Sequence, residues 1–215
     1  MRIGVIGTEN THVDQIVEYL NVRQLAGGTR VVALSGGPGE RNDGLQARGR
    51  IERIVDEPTE LLGLVDAVVI TDRHGGLHRE HALPFLAEGL PVWVDKPLAC
   101  GLADAEAIVV AAREHDAVLT SYSALRWIPD TDDLAGRAAG LGETQAVVTT
   151  GPADPAGPYG GIWFYGIHPV DVALRLAPGP VGEVRVERAG DTVVATAQVG
   201  RAQVTVNLVK PGPGG

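Results

Sequence analysis

The chain has 215 residues, 44% hydrophobic and 21% charged, with a formal net charge of −9. That balance describes an ordinary globular chain of one large domain, or one domain with a small companion. The acidic surplus argues against nucleic-acid binding, since a phosphate backbone would be repelled; no apolar run approaches the roughly 20 residues that span a bilayer, so no membrane partner is expected. A lone cysteine, Cys100, permits no internal disulfide. With an N-terminus that enters a strand directly, without the pattern of a signal peptide, this leads us to expect a cytoplasmic protein.

Arg2–Gly7 reads as a first strand and Thr11–Leu20 as a helix, with Val13, Ile16, Val17 and Leu20 at helical spacing. Arg30–Leu34 is a second strand, Gly36–Gly39 a loop, Asn42–Arg48 a short helix and Arg53–Val55 a short strand. A helical turn at Thr59–Leu62 precedes the apolar strand Asp66–Thr71. His78–Glu88 is an amphipathic helix closed by Gly89, Val92–Val94 a strand, Leu102–His115 a long helix and Ala117–Ser121 a further strand. Apolar strands alternating with helices predict a doubly wound parallel sheet over residues 1–121.

Beyond that point the pattern changes. Gly151–Gly161 is a Pro/Gly-rich loop and Ile167–Leu176 a helix with Pro169 in its first turn. The runs Val184–Arg188, Thr192–Val199 and Ala202–Val209 are separated by turn residues that suit antiparallel hairpins. The last two runs alternate, Val204, Val206 and Leu208 against Thr205 and Asn207, which predicts one covered face and one wet face. Residues 122–215 therefore read as a small α+β domain. The closing Pro-Gly-Pro-Gly-Gly reads as a frayed tail or a point of truncation.

The most informative stretch is Pro91–Leu98. The strand Val92-Trp93-Val94 stops at Asp95-Lys96-Pro97, because a proline cannot continue a ladder. One of only two lysines in the chain is left at the carboxyl end of a central strand, where open α/β sheets bind ligands. An amine there can bind phosphate or, once desolvated, act as an acid or base. It can equally be a solvated turn residue beside Asp95.

Strand, glycine and helix at the N-terminus is the layout of a dinucleotide-binding unit. The expected G-x-G-x-x-G falls on Gly7, Glu9 and His12, so only the first glycine is present. Anion contacts would then come from the turn around Gly7, Thr8, Asn10 and Thr11, unless Asn10 or Thr11 simply caps the helix. The second strand ends in Ser35-Gly36-Gly37 with no acid, and Arg41 follows. A ribose 2′-phosphate suits this better than a free 2′-hydroxyl, so NADP is slightly preferred over NAD.

Together, G-V-I-G at 4–7, D-A-V-V-I-T at 66–71, H-x-x-H-A-L-P-F-L-A-E-G at 78–89, V-W-V-D-K-P-L-A at 92–99 and G-I-H-P-V-D at 166–171 resemble the Gfo/Idh/MocA oxidoreductase family. The resemblance implies a Rossmann domain followed by an α+β domain whose open sheet often mediates dimers, so a homodimer or higher homo-oligomer is expected. It implies NAD(P)-dependent hydride transfer on a sugar, inositol or related polyol. Lys96 falls on the family's catalytic lysine and His168 on a candidate acid/base, with Asp171 in support. By the same resemblance, Gly7, Thr8, Asn10, Ser35, Thr71, Asp72, His74, Lys96 and Pro97 are expected at the cofactor, and Arg126, Tyr165 and Asp171 at the substrate.

Three departures stand out. Glu9 and His12 replace glycines, Phe164 stands where the family often has an aspartate, and Asp72-Arg73-His74-Gly75-Gly76 replaces a shorter loop. They keep open a non-redox enzyme of dehydratase, epimerase or lyase type, and a non-catalytic ligand-binding relative. Asp72, His74, His78 and His81 have no recognised zinc spacing, so no metal is expected and Asp72 and His74 are read as lining the cleft. Arg126 reads equally as a substrate contact or an ion-pair member, and Trp127 as a packing residue. Tyr159, Trp163 and Tyr165 read as a pocket wall or as core of the small domain.

Overall fold

The computed structural model describes residues 1–212. The chain divides into two compact units, the first Met1–Ser121 and the second beginning at Tyr122. The last three residues of the Pro-Gly tail, where fraying or truncation was expected, lie outside the described residues.

In the first unit β1 is Arg2–Ile6, α1 His12–Val17, β2 Arg30–Ser35, α2 Gly39–Gly49, β3 Arg53–Val55, β4 Ala67–Ile70, α3 His78–Ala87, β5 Val92–Val94, α4 Leu102–Glu114 and β6 Leu119–Thr120. The sheet runs β3-β2-β1-β4-β5-β6, every pairing parallel. The strands are apolar on both faces because both faces are covered. Along β4, Ala67 and Val69 pack with Val13, Val17 and Leu45, whereas Val68 and Ile70 pack with Phe85, Leu86 and Ile108. The order reverses between β1 and β4, which opens a crevice at their carboxyl ends.

Two helices differ from the sequence expectation. The first stops at Val17 and continues as a π-turn over Glu18–Val22, rather than reaching Leu20 as α-helix. The second begins at Gly39 rather than Asn42 and takes in three glycines. One of them is required by packing, since a Cβ on Gly49 would lie 2.7 Å from Val17 Cγ1.

The second unit has α5 at Pro129–Gly140, β7 at Ala146–Pro152, α6 at Trp163–Leu176, β8 at Val181–Ala189, β9 at Thr192–Val199 and β10 at Ala202–Val209. Its sheet runs β7-β10-β9-β8, with β7 parallel to β10 and the other pairs antiparallel. Neither α5 nor β7 was anticipated, and the end of β7 falls in the expected Gly151–Gly161 loop. The last two residues of β7, Gly151 and Pro152, are turn formers by composition, yet the strand runs through them alongside β10. The glycine suits a close approach, as a Cβ there would lie 2.8 Å from Pro169 Cγ of α6. Helix α6 starts four residues earlier than expected. Val147, Ala173, Val193, Val204, Val206 and Leu208 form this unit's core. Along β10, Ala202, Val204, Val206 and Leu208 are buried as expected, but of the residues between them Thr205 and Asn207 are half-buried and only Gln203 is exposed. Strand β9 does not alternate: Val193 and Val199 are buried and the residues between them are half-buried or exposed. Edge strand β8 is exposed along its whole length.

Candidate functional site

Lys96 is held at the end of β5 by its neighbours on both sides. Asp95 N–H donates to the Ile70 carbonyl at 2.8 Å, continuing the β4 pairing by one residue. The Lys96–Pro97 bond is cis, and the Pro97 carbonyl lies 2.8 Å from Nδ1 of His78. The other nitrogen of His78 lies 3.0 Å from the Asp72 carbonyl, so this wholly buried imidazole ties the ends of β4 and β5 together. Lys96 itself is 6% exposed. Burial lowers the affinity of its amine for a proton; Asp95 opposes this and Arg73 adds to it.

The turn after β1 is packed against two other strand ends. Gly7 has φ +80°, and a Cβ on it would lie 2.4 Å from Asp72 N. The Thr71 hydroxyl donates to the Gly7 carbonyl at 2.6 Å. Thr8 is buried, with its hydroxyl 2.9 Å from the Gly36 carbonyl and 2.5 Å from Asn42 Oδ1. Ser35 is also wholly buried, and its hydroxyl has no hydrogen-bond partner among the described residues. Asn10 Nδ2 donates to Asp95 Oδ2 at 3.2 Å, and His12 Nδ1 lies 2.7 Å from the same oxygen.

Glu9, at the second glycine position, accepts the Arg73 N–H at Oε1 at 2.7 Å, and the Arg73 guanidinium donates to the Glu9 carbonyl at 3.1 Å. Its carboxylate therefore spans from the first turn to the loop after β4. Arg41, the basis of the preference for a 2′-phosphate, pairs with Asp14 at 2.5 Å and donates to the carbonyls of Thr8 and Asn10. Its guanidinium braces the turn, and with these partners Arg41 is not a free cation for a ribose 2′-phosphate.

Among the described residues no group of three His, Cys, Asp or Glu side chains converges as for a metal ion. Asp72 instead pairs with His81, 2.7 Å from Oδ2 to Nδ1, and the hydrogen bond raises the imidazole's affinity for its proton. His74 is exposed, and its Nδ1 accepts the Gly76 N–H at 3.0 Å. Of the cofactor-side residues, Thr8 thus bonds to Gly36 and Asn42, Asn10 to Asp95, Thr71 to Gly7 and Asp72 to His81, which ties the ends of β1, β2, β4 and β5 together around the crevice. The loop at Gly36 and Gly37 lines its β2 side, both residues having positive φ. These features fit a dinucleotide-binding crevice at the switch point between β1 and β4.

In the second unit, Ser123 organises the residues expected at the substrate. Its hydroxyl lies 2.6 Å from His168 Nδ1, and its N–H donates to Asp171 Oδ2 at 2.6 Å. Asp171 Oδ1 accepts from Arg126 at 2.7 Å, so Arg126 is an ion-pair member. His168 lines a cavity of about 410 Å³ with Leu125, Thr149, Tyr165 and Val172. Phe164, in place of the family's aspartate, packs between Tyr159 and Tyr165 with tilted rings, their centroids 5.1 and 4.6 Å away. Trp127 lies against Arg126 and Arg175.

Sequence reasoning gave no role to Ser123, Asn42 or His12 as a partner of Asp95. Only His12 carried a signal, by standing where a glycine is expected.

The first unit is a doubly wound, Rossmann-type nucleotide-binding fold with a buried lysine at a central strand end. A family model described as an oxidoreductase family with an NAD-binding Rossmann fold, Gfo/Idh/MocA, matches residues 1–123, and the chain belongs to that family. The 1,5-anhydro-D-fructose reductase of Ensifer adhaerens is 34% identical over 127 residues, which are 58% of this chain and 37% of the relative. The chain thus matches little more than a third of that curated relative's length. A dehydrogenase from Chromobacterium violaceum superposes with a TM-score of 0.79 at 20% identity, over 98% of this chain and 66% of that one. An oxidoreductase from Agrobacterium radiobacter, solved in complex with NAD+, L-tartaric acid and magnesium, has a TM-score of 0.79 at 19% identity, over 99% of this chain and 68% of that one. The structural likenesses establish the fold. No helix among the described residues is long and apolar enough to cross a membrane.

Proposed function

We propose that the protein is an NAD(P)-dependent oxidoreductase acting on a sugar, polyol or related small molecule that carries a hydroxyl. The observation that carries this reading is Lys96, a desolvated amine at the crevice of an NAD-binding-type sheet. Gly7, the Ser35–Gly37 loop, Asp72, His74 and the Lys96-Pro97 bend would hold the dinucleotide. When bound, the nicotinamide supplies the hydride acceptor for oxidation of a carbinol carbon, or the donor for the reverse reaction. Lys96 hydrogen-bonds the reacting oxygen and stabilises the negative charge that develops on it. His168, oriented through Ser123, takes the hydroxyl proton in oxidation and returns it in reduction. Tyr165 forms the wall beside His168, their rings 6.0 Å apart, while Asp171 and Arg126 brace the Ser123 turn. The missing acid at the end of β2 still favours NADP slightly, without help from Arg41. Exposed Val181, Val184 and Val186 on β8 support a homo-oligomer.

Calorimetric titration with NADH and NADPH tests the reading: binding of either is expected, and no heat at millimolar cofactor overturns it. Glu9, whose carboxylate bridges to Arg73, favours a second reading, a non-redox proton-transfer enzyme using Lys96 and His168. That reading requires turnover of a hydroxylated substrate without any nicotinamide.

A further inference from the structure

His12 stands at the third glycine position of the first turn, and its ring is held by Asp95. Nδ1 lies 2.7 Å from Asp95 Oδ2, an oxygen that also accepts from Asn10. An ionised carboxylate only accepts, so Nδ1 carries a proton and the ring orientation is set. The Asp95 side chain is 7% exposed and that of His12 48% exposed. The ring is therefore about half open while the carboxylate that holds it is buried, and the ring's second nitrogen is Nε2. That nitrogen has no hydrogen-bond partner among the described residues.

A pyrophosphate at this turn meets an unusual charge pattern. Glu9 and Asp95 are acidic, and with Glu9 in place of glycine the backbone cannot approach as closely. Arg41 is engaged by Asp14. A side-chain donor would offset that charge, and His12, held by Asp95 within the same turn, can supply one.

We propose that His12, positioned by Asp95, is a phosphate-binding residue, with Nε2–H donating to a pyrophosphate oxygen of the bound dinucleotide. The side chain thereby does what a glycine turn does through backbone N–H groups. The inference rests on the dinucleotide reading above and adds a contact that the family's glycine motif does not contain.

Two substitutions separate ligand contact from a merely structural link between α1 and β5. His12→Asn keeps a donor at the Nδ1 position, and hence the Asp95 contact, but removes Nε2; His12→Gln keeps a donor near Nε2. Calorimetry with ADP-ribose is expected to show at least a ~10-fold loss of affinity in His12→Asn, an unchanged melting temperature, and recovery of most of the affinity in His12→Gln. His12→Asn binding as tightly as wild type overturns the proposal. If that variant does not fold, nitrogen NMR of wild-type His12 decides: Nε2 shifts on adding ADP-ribose if the proposal holds, and an unmoved resonance overturns it. Wild type that binds neither ADP-ribose, NADH nor NADPH overturns the dinucleotide reading and this one with it. Wild type that binds beside an unimpaired His12→Asn overturns the role of His12 alone.

Discussion

The Ser123 hydroxyl lies 2.6 Å from Nδ1 of His168, and the N–H of the same serine donates to Asp171. The imidazole is thus anchored by a residue whose own position depends on an ion pair, Asp171 with Arg126. Asp171→Ala leaves the Arg126 charge and the Ser123 N–H without their acceptor. It is expected to destabilise the second unit by about 3 kcal/mol, read by urea unfolding. His168→Ala leaves that ion pair intact, so it should unfold like wild type while kcat falls by about 10²-fold or more.

Lys96 gives a stability change opposite in sign to its effect on turnover. Burial lowers its pKa in the folded state. Between that lowered value and the ordinary lysine value the unfolded chain binds more protons, so stability rises with pH across this window. Below the window the buried charge is a standing cost. Lys96→Met is expected to raise the melting temperature at neutral pH, by an amount that shrinks as the pH climbs towards the ordinary value, and to reduce kcat by about 10²–10⁴-fold. A melting temperature below wild type at pH 7 contradicts the desolvation argument.

The His81–Asp72 pair shifts stability the other way. The hydrogen bond to Asp72 raises the pKa of His81 above its ordinary 6.5. Its contribution is therefore fully present below about pH 6.5 and disappears as the pH rises through the raised folded value. The stability difference between wild type and His81→Gln, from urea titrations between pH 5.5 and 9, should be largest at the acid end and decline upward. A difference that does not vary with pH excludes the linkage.

Gly7 is constrained twice, by φ +80° and by the backbone of Asp72, which a Cβ would meet at 2.4 Å. Gly7→Ala is expected to cost about 3 kcal/mol or more in equilibrium unfolding. Gly27, also at positive φ, has nothing within 4 Å of its Cβ position, so Gly27→Ala should cost only about 1 kcal/mol. Equal losses at the two sites would show that contact with Asp72 carries no energy.

Much of the first unit was legible because its signals are local. Val92-Trp93-Val94 is a strand bounded by prolines, and Ala67–Ile70 is apolar on every residue because helices cover both faces. The second unit was less legible. Helix α5 opens with a proline and several aspartates, and β7 ends in Gly151-Pro152, which reads as a turn until β10 pairs with it. Ser123 carried no motif, since its value lies in being within reach of His168 and Asp171.

From the sequence alone came the doubly wound class of the first unit, the family, and the lysine at the end of β5. The class and the place of the lysine follow from hydrophobic periodicity and proline and glycine punctuation, which act over a few residues, whereas the family came from the resemblance of its motifs in their order. The tertiary structure alone decided which polar groups partner one another. Asn10 meets Asp95 across 85 residues, Thr71 meets Gly7 across 64 and Arg126 meets Asp171 across 45. A hydrogen bond depends on ångström-scale separation in space, which the order of residues along the chain does not specify.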